Sequence, residues 1–122
     1  MRELDVKHLS AAVADACEEI NYQLSDDVKG AILQAGERET SPLGREILAQ
    51  LAENMAVAKS EMIPICQDTG MACVFLEIGQ DVHIEGNLAE AVHEGVRQGY
   101  VEGYLRKSVV RDPLDRVNTG DN

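Results

Sequence analysis

No apolar run in this chain approaches the ~20 residues that a membrane-crossing helix requires. The amino terminus, Met1-Arg2-Glu3-Leu4-Asp5-Val6-Lys7, also lacks the charged-then-apolar plan of a secretion signal. Neither membrane insertion nor export is expected, and the chain reads as cytoplasmic. Basic residues are scarce, 11 against 22 acidic ones for a net charge of −11. The imbalance is spread evenly, with 6 basic and 12 acidic residues in positions 1–61 and 5 and 10 in positions 62–122, so there is no acidic tail. Such a surface repels phosphate backbones and offers no polybasic patch, which excludes general nucleic-acid binding and electrostatic membrane docking. Tryptophan is absent, and cysteine is limited to Cys17, Cys66 and Cys73. An odd count at spacings that match neither a CxxC pair nor a paired-CxxC zinc site gives no disulfide framework. Glycine-rich nucleotide loops, internal repeats and low-complexity segments are missing too.

What is there suits one compact domain. At 122 residues and 44% hydrophobic, folding would bury roughly 65% of the unfolded surface, enough for a core without disulfide support. Val6, Leu9, Val13, Cys17 and Ile20 recur at steps of three and four, which predicts a first helix ending near Tyr22. Ser25-Asp26-Asp27 places a cap and acidic residues ahead of Val28, Ala31, Ile32 and Ala35, predicting a second helix that Gly36 stops. Ser41-Pro42 opens a third, with the stripe Leu43, Ile47, Leu48, Leu51 and Met55.

After Lys59 the pattern changes. Ile63-Pro64-Ile65 forces an extended stretch into the polar turn Cys66-Gln67-Asp68-Thr69-Gly70. Residues 71–78 form a short apolar run broken only by Glu77 and bounded by Gly70 and Gly79. That pattern predicts a buried strand, with Val82-His83-Ile84 as its hairpin partner. Asn87 followed by Glu90 marks the start of a last helix reaching to about Leu105. The chain then ends in Asn118-Thr119-Gly120-Asp121-Asn122, a dense turn signal with nothing left to connect. A truncated chain is the expectation from that ending. The fold class expected is α-rich α/β: a helical amino-terminal region, a short strand or hairpin, and a long glycine-ridged helix, together forming part of a larger domain.

The turn at residues 66–70 gathers a thiol, an amide, a carboxylate and a hydroxyl between a proline-stiffened entry and an apolar run, as a rigid scaffold presents reacting groups. An Asx-type turn, with Asp68 capping backbone N–H groups and Cys66 a small half-buried filler, explains the same residues without chemistry. Asp68-Thr69-Gly70 is also the tripeptide of aspartic proteases, but those proteins are all-β and three helical stripes precede it here. Gly95, Gly99 and Gly103 recur every four residues in the last helix, where each costs about 1 kcal/mol relative to alanine. A close crossing with another element is the expected compensation.

Arg106, Lys107, Arg111 and Arg116 outnumber Asp112 and Asp115, a local charge of +2 just past that ridge. Intrachain ion pairs on a solvated face account for Lys107 and Arg116, while an arginine fork aimed by a packed helix end suits a carboxylate. His8, His83 and His93 have no partner at ligand spacing. His83-Ile84-Glu85 matches half of the zinc deaminase signature, but no PCxxC follows. Cys17 on the first helix and Cys73 in the expected strand read as packing residues.

Taken together, Ile63-Pro-Ile-Cys-Gln-Asp-Thr-Gly-Met71, Ile78-Gly-Gln-Asp-Val-His-Ile-Glu-Gly86, and Gly103-Tyr-Leu-Arg-Lys-Ser-Val-Val-Arg-Asp-Pro113 leading to the terminal Asn118-Thr-Gly-Asp-Asn122 form an ordered series of long motifs. In these the chain resembles the amino-terminal part of the iron-sulfur (class I) fumarate hydratases, and equally the alpha subunit of L-tartrate dehydratase. The resemblance implies a [4Fe-4S] cluster held by three thiolates with one open iron, and Cys66 matches the first of those ligands. Gln67 and Asp68 match residues that line the substrate, with Asp68 as the proton donor or acceptor, and Arg106 matches an arginine that grips a substrate carboxylate. Cys17 and Cys73 become bystanders. The implied reaction is reversible hydration of fumarate to malate, or dehydration of tartrate, on a small dicarboxylate. The implied partners are a beta subunit or carboxyl-terminal domain and a second copy in a homodimer of the full assembly, with residues 1–122 the amino-terminal part of the alpha catalytic region. The remaining cluster ligands and the catalytic base are expected elsewhere, so the fragment alone should be inactive. A non-catalytic helical interaction module, docking through the glycine ridge, is the rival expectation.

Overall fold

A computed structural model describes residues 2–120 and 122; Met1 and Asp121, the latter inside the expected terminal turn, lie outside them. The α-rich α/β class is observed: β1 (Arg2–Asp5), α1 (Val6–Tyr22), α2 (Asp26–Arg38), α3 (Pro42–Glu61), β2 (Val82–Glu85) and α4 (Leu88–Glu102). Two compact units form, one uniting the residues up to Glu18 with Gln67 onward, the other spanning Glu19–Cys66. Among the described residues no helix is long and apolar enough to cross a membrane.

In the Glu19–Cys66 unit, α2 follows Ser25 with Asp26 and Asp27 in its first turn and Arg38 in its last, charges that complement the helix dipole. A hydrogen bond from Ser25 holds the Asp27 carboxyl below its usual range. Gly36 does not stop this helix as expected. Helical geometry continues to Arg38, and Glu39 closes it in extended conformation with its N–H donated to Ala35 O. Gly36 instead faces α3, where an added Cβ would meet Leu48 Cβ at 3.8 Å. Ser41 caps α3, accepting from the Gly44 N–H, with Pro42 in the first turn as expected. The α3 stripe is buried only at its end. Met55 is buried, whereas Leu43, Ile47 and Leu51 are 65%, 49% and 44% exposed. Met62, left-handed at φ 52°, ends the helix. The extended stretch beyond it is tied down by Ile65 N–H to Asn21 O (2.9 Å) and Asn54 Nδ2 to Ile65 O (2.9 Å).

In the other unit, β2 pairs with β1 in parallel, Arg2 opposite Val82 through Asp5 opposite Glu85. The expected hairpin does not form. Residues 71–78 carry no strand, and Met71, Phe75 and Leu76 are 63%, 93% and 46% exposed. The turn at Gly79, whose carbonyl accepts from Val82 N–H (3.0 Å), and the bond from Arg2 N–H to Asp81 O (2.8 Å) hand the following strand to the amino terminus instead. An apolar run marks a segment suited to burial but says nothing about which partner arrives, and Arg2-Glu3-Leu4-Asp5 has too little apolar alternation to announce itself as that partner.

The glycine ridge does what its cost implied. α4, capped by Asn87 Oδ1 accepting from Glu90 N–H (3.2 Å), lies against α1. A Cβ on Gly95 would sit 2.5 Å from Ser10 O and 2.7 Å from Val13 Cβ, and one on Gly99 would sit 2.7 Å from Ala14 O and 2.8 Å from Cys17 Cβ. Ser10 Oγ donates to Ala91 O at 2.8 Å. Val13, Ala14, Cys17, Ala91, Val96, Tyr100 and Leu105 form the buried core of this unit. The helix ends three residues before the expected Leu105. Gly103 caps it, and the left-handed Tyr104 (φ 53°) turns the chain so that Leu105 N–H reaches back to Tyr100 O (3.1 Å).

Candidate functional site

The rigid end of α4 and the turn at residues 66–70 meet through Thr69. This hydroxyl accepts from Arg106 N–H (2.9 Å) and donates to Arg106 O (3.3 Å), so one side chain satisfies both backbone polar groups of Arg106. Tyr100, 2% exposed on the inner face of α4, directs its hydroxyl at Thr69 O (3.1 Å) and Gly70 O (3.4 Å). Burial pushes the Tyr100 phenol above its ordinary value, keeping it a neutral donor. Asp68 Oδ1 accepts from Gly70 N–H (3.4 Å), the Asx geometry expected for this turn, and Gly70 adopts φ 67°.

Asn122 completes the arrangement. Its carboxamide donates to Gly70 O (2.8 Å) and Arg106 O (3.1 Å) and accepts from Val109 N–H (3.0 Å), while its backbone carbonyl accepts from Ala72 N–H (3.0 Å). Ser108 Oγ adds a third donor to Gly70 O (3.3 Å). Asn118 Nδ2 bonds Lys107 O (2.7 Å), and a bridge joins Asn118 to Val110. Asn118 and Asn122 therefore fasten residues 106–110. The clasping roles of Thr69, Tyr100, Ser108 and Asn122 are not legible in the sequence, because a hydroxyl or amide that bonds backbone 13 to 52 residues away leaves no local pattern.

The candidate site residues are exposed. Gln67, Asp68 and Arg106 are exposed in the same unit, and Cys66, also exposed rather than a half-buried filler, closes the other. The expected ion pairs of the basic stretch are not found: among the described residues the one ion pair is Arg97–Glu94, elsewhere on α4, and Arg106, Lys107, Arg111 and Arg116 stand exposed. Asp112 spends its carboxylate on the N–H groups of Asp115 and Leu114, which hold it below the usual carboxylate range.

The cysteines divide by environment. Cys17 is 4% exposed beneath Gly99, and burial, then Glu18, push its thiol up, which makes it a packing residue as expected. Cys73 is exposed, contrary to the packing role expected of it, because the segment carrying it forms no buried strand. His8, His83 and His93 are exposed on separate elements. Among the described residues no three His, Cys, Asp or Glu side chains gather closely enough to hold a metal ion. An exposed thiol at the mouth of a stiffened loop suits a single ligand of an iron-sulfur group; a set of three is not furnished by these residues.

Comparison with known proteins agrees with the motifs. The family model described as Fumarate hydratase (Fumerase) matches residues 10–122. A candidate L(+)-tartrate dehydratase subunit alpha of Methanocaldococcus jannaschii is 34% identical over 116 residues, which cover 93% of this chain and 40% of that protein. The L(+)-tartrate dehydratase subunit alpha of Escherichia coli K12 is 32% identical over 117 residues, covering 96% of this chain and 38% of that protein, and the Shigella sonnei subunit matches to the same extent. The chain thus spans about two fifths of the length of these curated relatives. With nearly all of its residues inside the family match, and with the turn and the Arg106 stretch clasped together as one structure, the chain belongs to the fumarate hydratase (Fumerase) family.

Proposed function

We propose that the chain is the amino-terminal part of the alpha catalytic region of a hydro-lyase that reversibly adds water to fumarate to give malate. The observation that supports this reading is the clasp between Thr69 and Arg106, which ties the Arg106 backbone to the turn that carries Gln67 and Asp68, in a family of hydratases. Arg106 pairs its planar fork with one carboxylate of the dicarboxylate substrate. Gln67 supplies neutral hydrogen bonds for orientation. Asp68, exposed at the turn, carries a proton between substrate and solvent in this reading as the C3–H and C2–OH bonds break or form. Exposed Lys107, Arg111 and Arg116 offset a chain of net charge −11 and attract the dianion toward that edge.

Cys66 is the residue that would hold a [4Fe-4S] group here, with the other ligands coming from outside these residues. When bound, that group supplies a Lewis-acidic iron for the leaving hydroxyl. The remaining cluster ligands, the second acid-base group and a beta portion complete the assembly, which we take to be a homodimer. L-Tartrate as substrate is the second reading, favoured by the names of the relatives, each an alpha subunit of a tartrate dehydratase. The test is anaerobic purification of the complete enzyme followed by assay with fumarate, malate and L-tartrate. Cluster absorbance and activity should both vanish in Cys66→Ala, and the preferred dicarboxylate should show a raised KM in Arg106→Ala. An active, coloured Cys66→Ala enzyme would remove this thiol from the cluster.

A further inference from the structure

Thr69 and Asn122, each 9% exposed, are the buried polar side chains of the described residues, and both spend their hydrogen bonds on the backbone around Arg106. Buried polar groups are retained where their bonds are satisfied, and the gain here is geometric rather than hydrophobic. Arg106 follows the left-handed Tyr104 and lies outside any helix or strand, so no ladder of its own fixes its position. Its N–H and C=O are held instead by a side chain from the turn that also carries Gln67 and Asp68. Asn122 then closes the other side, bonding Gly70 O and Arg106 O with one amide group and so stapling the two segments a second time. The Tyr100 hydroxyl anchors the same turn to the packed face of α4.

We propose that Thr69 is a positioning residue, seconded by Asn122, that sets the register between the anion-binding Arg106 and the proton-transfer turn at Asp68, so that both ends of one small dicarboxylate are met at once. This rests on the proposed function above. Thr69 touches no substrate in this account; it acts through the Arg106 backbone, and the exposed guanidinium gains its aim from that anchor.

The experiment uses the complete enzyme with Thr69→Val, which preserves shape and removes the hydroxyl, and Thr69→Ser, which keeps it. Thr69→Val should raise the KM for the dicarboxylate about tenfold, the size expected from loosening one buried hydrogen-bonded anchor, while iron and sulfide content stay at the wild-type level. Thr69→Ser should restore the KM. Amide hydrogen exchange of a peptide covering residues 105–109 should accelerate in Thr69→Val and return to normal in Thr69→Ser, a readout independent of turnover. On an Arg106→Ala background, Thr69→Val should add no further rise in KM, because its effect is routed through that side chain. If Thr69→Val does not accumulate as folded enzyme, Asn122→Ala carries the same test, since it removes one of the two donors to Arg106 O and leaves the Thr69 hydroxyl in place. Additive KM effects with Arg106→Ala, or unchanged KM and exchange in Thr69→Val, would overturn the proposal. Faster exchange with an Arg106→Ala enzyme of unaltered KM would overturn it differently, by removing the substrate role of Arg106 on which it rests while leaving the clasp intact.

Discussion

The same substitution, glycine to alanine inside a helix, should have opposite signs at two positions of this chain. At Gly30 in α2 nothing lies within 4 Å of an added Cβ, so the change only trims unfolded-state entropy and improves helix propensity. A gain of about 0.5–1 kcal/mol follows. At Gly95 in α4 the methyl would arrive 2.5 Å from Ser10 O and 2.7 Å from Val13 Cβ, and the first of these is backbone that cannot rotate away. Overpacking typically costs about 1–3 kcal/mol, and a clash against backbone belongs at the upper end. Subtracting the helical gain of about 1 kcal/mol leaves a net loss of about 1–2 kcal/mol. Denaturant unfolding followed by helical circular dichroism reads the difference directly as a midpoint raised in Gly30→Ala and lowered in Gly95→Ala. If Gly95→Ala proved as stabilising as Gly30→Ala, the close approach of α1 and α4 would be wrong, and with it the rigid seat from which Tyr100 reaches the Thr69 turn.

Other outcomes can be checked more quickly. In protein freed of metal, a thiol reagent should modify exposed Cys66 and Cys73 rapidly and buried Cys17 only on unfolding; rapid loss of all three would contradict the packing under Gly99. Cys17 and Tyr100 both have folded-state values raised by burial, so the stability they contribute is complete below their unfolded values and disappears as pH climbs through the folded ones. Unfolding titrations should therefore show an alkaline decline that is reduced in the double variant Cys17→Ala, Tyr100→Phe relative to its own stability at neutral pH. Asn87→Ala should lower stability by about 1 kcal/mol through loss of the α4 cap, and Asn87→Asp should recover most of it, both measured as denaturation midpoints.

Much of the helical architecture was legible because its signals are local. α1 runs over the residues its three-four spacing indicated, Pro42 and Asn87 mark helix starts as their chemistry requires, and the glycine ridge announced a close crossing from its cost alone. Gly36 misled because glycine both ends helices and lets them approach, and only the position of Leu48 distinguishes the two uses. Residues 71–78 misled for a deeper reason. Their composition describes a strand that wants covering, while strand pairing is a contact between distant segments, and β2 found its partner among the first residues of the chain.

The residues able to do chemistry were likewise readable, since a thiol, a carboxylate and an arginine declare their reactivity by type. Their mutual placement was not. Which carbonyl Thr69 would meet, and that Asn122 would return across 52 residues to grip Gly70, depends on loops closing in space. Sequence determined the helices, the family and the inventory of reactive groups, because these rest on short-range periodicity and residue chemistry. Tertiary structure alone decided the parallel β1–β2 pairing, the exposure of Cys66 and Cys73, and the polar clasp on the Arg106 backbone, because each depends on which segments, far apart in chain order, meet in space.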